Sequence, residues 1–132
     1  MARTYKVSDT ALNDSDKALT PPSNNVWLLS LRIEFTATAD AGSRTLEVRY
    51  RDADGDVFWA TEITTDFVAS DVMVVNMSPG APTVIPADNG DEGAQHLAAV
   101  CFEANWDVQV IDTAAIQAAA DDMILHSIWA DD

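Results

Sequence analysis

The sequence is poor in the residues that hold anions. Seven of its 132 residues are Lys or Arg, and only Lys6 and Lys17 are lysines. Against them stand 22 Asp and Glu, for a formal net charge of −15 at pH 7. Phosphate backbones and anionic headgroups are gripped by Lys/Arg clusters, so neither nucleic acid nor membrane is an expected partner. The single cysteine, Cys101, excludes an intramolecular disulfide. It lies in the apolar run from Leu97 to Phe102 and reads as a small core side chain rather than a nucleophile. No window approaches the ~18 apolar residues of a membrane-spanning helix. The residues from Met1 to Lys6 lack the apolar stretch of a secretory signal, so synthesis in a cytoplasm is expected.

What is present is enough apolar material, 48% of the chain, for one real core. Residues 1–25 are polar, end in Pro21-Pro22-Ser23-Asn24-Asn25 and read as an extended arm. Residues 26–132 read as one domain. Trp27, Leu29, Leu31, Ile33 and Phe35 alternate with mostly polar residues, the period of a half-buried strand. Asp40-Ala41-Gly42-Ser43 makes a turn, after which Leu46, Val48 and Tyr50 alternate with Glu47, Arg49 and Arg51. Asp52-Ala53-Asp54-Gly55-Asp56 then separates this strand from Val57 to Thr65, a strong hairpin signal.

Further strands are expected at Val72 to Met77, Leu97 to Phe102, Val108 to Ile111 and Met123 to Trp129, with a long loop from Ser78 to Gln95. The alanines of Thr113 to Ala120 allow one or two helical turns. The fold class is therefore all-β: an antiparallel sandwich of about seven or eight strands with at most one short helix.

Candidate chemistry is sparse. Asp52, Asp54 and Asp56 place three carboxylates at alternate positions, as hard cations prefer, but Gly55 stands fourth rather than sixth and Ile63 occupies the place of the closing Glu in a calcium loop. A solvated hairpin turn is the better reading, and no metal or cofactor is expected. Asp121-Asp122 and Asp131-Asp132 read as surface carboxylates. His96 and His126 are the only histidines, and no nucleophile elbow, phosphate loop or paired-ligand spacing accompanies them. An enzyme is not expected. Trp106, in Ala104-Asn105-Trp106-Asp107, is the aromatic most suited to an exposed contact; the plainer reading is a cap on one end of the sandwich.

The order of these pieces resembles a family of small structural proteins of tailed bacteriophages and related viruses. The resemblance is carried by the strand Trp27 to Phe35, the stretch Ala37 to Val48, the acidic hairpin, Ser78-Pro79-Gly80, and Val110 to Ile116 leading into Ala120-Asp121-Asp122-Met123. Gln117 stands where the family pattern leads one to expect Asp. The resemblance implies a jelly-roll-like virion component: a decoration or cement protein on the outer capsid surface, bound to the major capsid protein and to itself as a homotrimer. A tail or head-fibre adaptor would share the fold, and a carbohydrate-binding module would need a row of exposed aromatics. The expected partner contacts are Tyr5, Pro21 and Pro22 in the arm, Arg32, Arg44, Arg49 and Arg51 on one less negative face, and Trp106. The dense carboxylates also suit salty surroundings.

Overall fold

The computed structural model describes residues 3–12, 16–37, 42–67, 71–86, 90–113 and 121–132, with backbone alone at 42–44 and 65–67. Ten strands make two sheets: β1 (Thr4–Asp9), β2 (Lys17–Leu19), β3 (Val26–Thr36), β4 (Gly42–Arg51), β5 (Val57–Phe67), β6 (Val72–Ser78), β7 (Glu92–His96), β8 (Cys101–Phe102), β9 (Asp107–Asp112) and β10 (Asp122–Asp131). One sheet runs β1-β10-β3-β6-β7, with β8 paired to the start of β3; the other runs β2-β9-β4-β5. Setting β7 and β8 aside, eight strands form two four-stranded layers, and every connection but the β4–β5 hairpin crosses from one layer to the other. This is jelly-roll topology.

The alternation of burial explains the layering. Leu31, Ile33 and Phe35 of β3, Leu46, Val48 and Tyr50 of β4, Val108 and Val110 of β9, and Met123, Leu125 and Trp129 of β10 are all buried between the sheets. Their neighbours in sequence face outward. Early in β3 the phase departs from the expected one. Val26 and Leu28 are buried while Leu29 is exposed, because the β3–β10 register shifts between Ile128, opposite Ser30, and Trp129, opposite Leu28. The extra residue is a β-bulge, and it reverses which face the start of the strand presents.

Three further expectations differ from the structure. The segment 1–25 is extended, but residues 4–9 pair with β10 and 17–19 with β9, so both strands are docked in this chain's own sheets. The expected loop at 78–95 ends in β7, which pairs in parallel with β6 and so makes the sandwich not wholly antiparallel. Of the strand expected at Leu97 to Phe102 only Cys101–Phe102 is a strand; Leu97 is nevertheless fully buried. Of the helical turns expected at 113–120, residues 114–120, Gln117 among them, lie outside the described residues; so do Asp40 and Ala41 of the expected turn, whose Gly42 and Ser43 already begin β4. Among the described residues every regular element is a strand.

β7 is poor in strand-forming residues, and close packing makes up for it. A Cβ on Gly93 would lie 2.4 Å from the Val84 carbonyl oxygen and 2.5 Å from Pro86 Cδ. The paired bonds Val84 N–H to Ala94 O (2.8 Å) and Ala94 N–H to Val84 O (2.9 Å) hold the connection over this glycine. Gly93→Ala should therefore cost about 2–3 kcal/mol, toward the high end for overpacking because the atoms in the way are a backbone carbonyl oxygen and the ring of the buried Pro86. Hydrogen exchange should show lost protection at Val84 and Ala94; unchanged protection there would refute the packing argument.

Candidate partner-binding surfaces

The β4–β5 hairpin closes through 52–56. Asp52 Oδ1 accepts from the Asp54 and Asp56 N–H groups, both at 3.0 Å, and Gly55 supplies the positive φ of +82° that the turn needs. The three carboxylates have oxygens within 4.8 Å of one another, and Asp54 and Asp56 are exposed. Since Asp52 spends an oxygen on the turn itself, the cluster is what an acidic hairpin tip makes without a cation.

Just past this turn the β4–β5 register slips. Tyr50 lies opposite Trp59 and Arg51 opposite Val57, so Phe58 is the extra residue. The bulge swings its ring toward the end of the sandwich, where it meets Trp106 at 5.2 Å, Tyr50 at 6.0 Å and Phe102 at 6.4 Å between centroids. Behind it Tyr50 and Phe102 are fully buried, 4.7 Å apart edge to face. Burial pushes the Tyr50 hydroxyl far above its usual pKa. It stays neutral and donates to the Ala98 carbonyl oxygen at 2.8 Å. Phe58 itself remains 44% exposed and Val57 46%. Trp106, half-buried in the turn that follows β8, does cap this end, and Phe58 and Val57 complete the patch. Phe58 lies on the same phase of β5 as the exposed Ala60 and Glu62, and the register slip accounts for its contact with Trp106 at the end of the sandwich.

On the outer face of the six-stranded sheet, two cross-strand rows make a hollow of about 400 Å³. Lys6, Ile128 and Ser30 form one row, and Ser8, His126, Arg32 and Asn76 the other. Arg32 donates to Glu92 (2.7 Å), Asn76 (3.1 Å) and Glu34 (3.3 Å). The hydrogen bond from Arg32 is the main reason the Glu92 carboxyl sits below its usual pKa. Ser8 Oγ and His126 Nδ1 are 2.9 Å apart, a contact set by their direct cross-strand pairing. A hydrolase would need a third group orienting the imidazole and an oxyanion site beside the serine. Neither adjoins this pair among the described residues. His96 lies elsewhere, its Nδ1 accepting from Gly80 N–H at 2.9 Å.

The remaining expected contacts are dispersed. Arg49 pairs with Glu47 on its own strand, and Arg51 grips Asp107 of β9 through two bonds, the longer 2.8 Å. Both stand on the outer face of the four-stranded sheet, opposite to Arg32, so the arginines do not share one face. The side chain of Arg44 lies outside the described residues. Tyr5 is half-buried and donates to Asp131 at 3.3 Å. Pro21 is buried and Pro22 exposed. Cys101 is half-buried, its thiol pushed up by burial and then by Asp132, which is the opposite of an activated nucleophile.

Strand order and a filled interior define this chain as a jelly-roll β-sandwich whose unusual features are on its outside. No protein-family model matches the sequence, and no curated protein matches it. Five chains of solved structures do. One belongs to the structure of infectious bursal disease virus Gx strain: 8% identity, TM-score 0.35, covering 98% of this chain and 31% of that one. Another belongs to the crystal structure of the infectious bursal disease virus VP2 subviral particle: 9% identity, TM-score 0.33, 98% and 32% covered. This chain spans about a third of the length of either. A likeness at that level carries no argument, and the fold rests on the strand order above.

Proposed function

We propose that this chain is a structural virion protein, a decoration or cement protein on the outer surface of a capsid that stabilises contacts between subunits of the major capsid protein and assembles as a homotrimer. Jelly rolls recur among capsid domains, lectins and cupins. A cupin needs metal-binding side chains converging inside the barrel, whereas here Trp129, Tyr50, Phe35 and Phe102 fill the interior and both histidines lie outside it. A sugar platform needs aromatic faces in a row, whereas Phe58 and Trp106 meet at 62°. The observation that supports the reading is this filled interior under an acidic exterior, which leaves the outer surface as the place of contact. A charge of −15 repels packaged DNA, which favours the outer side of a shell.

The test is made on purified virus particles. Mass spectrometry should detect the chain at high copy number, and amine or carboxyl labelling should reach it on unopened particles. Absence from the particle, or labelling only after disruption, would overturn the proposal. A few copies per particle would indicate the adaptor instead.

A further inference from the structure

The apolar patch at the hairpin end is built rather than incidental. Phe58 is the extra residue of a β-bulge and stays exposed, Val57 stands beside it, and Trp106 packs against it over Phe102. Around the patch lie Asp52, Asp54, Asp56 and Glu103, and no ion pair among the described residues reaches any of the four. The adjacent cation, Arg51, is already held by Asp107. An exposed aromatic ringed by uncompensated carboxylates is complementary to one kind of surface.

We infer that this end docks a protein surface on which Lys and Arg surround an apolar pocket, with Phe58 as the residue that enters it. The inference rests on the surface-contact reading above and specifies its partner. The carboxylates speed encounter and keep acidic surfaces off this end, while Phe58 and Val57 supply the desolvated centre.

The experiment uses the full chain and two short peptides, one of alternating Lys and Leu and one of alternating Glu and Leu, followed by heteronuclear NMR. The Lys/Leu peptide should shift the amides of 52–58 and the Trp106 indole, and the Glu/Leu peptide should not. Binding should weaken steeply as NaCl rises from about 0.1 M to about 1 M, as the screening length shortens from about 10 Å to about 3 Å. Phe58→Ser should weaken it about tenfold. Asp54→Asn with Asp56→Asn, on an exposed turn that folding does not need, should flatten the salt dependence. Shifts on the outer face of the six-stranded sheet instead, equal binding of both peptides, binding of neither, or Phe58-dependent self-association in sedimentation would each overturn the inference. Labelling of intact particles reads the virion assignment separately, so either can fail alone.

Discussion

Trp129→Ala is expected to destabilise the fold by about 3–5 kcal/mol, read as a lower urea midpoint at unchanged slope. The indole is fully buried in β10 and meets Phe102 edge to face at 5.2 Å. Its N–H is satisfied by Ser127 Oγ at 2.8 Å, and that hydroxyl donates across the sheet to the Val7 carbonyl oxygen at 2.7 Å. The truncation therefore opens a cavity and breaks a buried polar chain joining β1 to β10. Ser127→Ala should cost about 1–2 kcal/mol by orphaning the indole N–H, and the double variant should cost less than the two singles added. A loss below about 1 kcal/mol for Trp129→Ala would mean the sandwich is far looser than close packing implies.

The second large effect concerns Lys17 of β2, whose ammonium is buried beside the end of β1. Its side chain is 2% exposed, and Nζ donates to Asp9 Oδ1 and to the Ala11 carbonyl oxygen, both at 2.7 Å. Asp9→Ala removes the countercharge and leaves the cation stranded, at an expected cost of about 2–3 kcal/mol; the exposure of Asp9 keeps this below the figure for a fully buried pair. Lys17→Met should cost less, since Asp9 can rehydrate.

The pair also sets an acid limit. The hydrogen bond from Lys17, opposed by partial burial and aided by the Ala11 N–H and the Lys17 charge, holds the Asp9 carboxyl below its usual range. Its contribution is complete above the unfolded value of about 3.9 and drains away as pH falls through the lower folded one. Asp9→Asn should make stability less pH-dependent in that window. An unchanged slope between about pH 2 and about pH 4 would show that Asp9 titrates alike folded and unfolded.

Much of this architecture was legible in the sequence where hydrophobic alternation and turn chemistry agree. The acidic hairpin is the clearest case: Gly55 and three aspartates state the turn locally. The first half of β3 was legible as a strand but in the wrong phase, because a bulge depends on the partner β10, about 100 residues away. β7 was illegible for a similar reason, since Glu92-Gly93-Ala94-Gln95-His96 becomes a strand only through β6 and the glycine's close fit under Val84 and Pro86. The same limit governs the surface. Arginines close in sequence, such as Arg32 and Arg49, went to opposite sides of the sandwich, and which carboxylate each would take was decided by neighbouring strands. Trp106 could be picked out from its turn; the contact of Phe58 with it could not, because it joins β5 to a turn almost fifty residues away.

The strand order also fixes a timetable for folding. β10 lies between β1 and β3, so the middle of the larger sheet is supplied by residues 122–131, with Thr4 opposite Ala130. Until those residues leave the ribosome, β3 has one open edge carrying Leu28, Leu31, Ile33 and Phe35, and sheets joined over such separations form slowly. A waiting strand of that kind is a template for aggregation. All seven Lys and Arg lie at or before Arg51, so the negative charge that makes copies repel one another enters the growing chain only with residues 52–132. The strand with the longest wait is thus made before the charge that keeps copies apart.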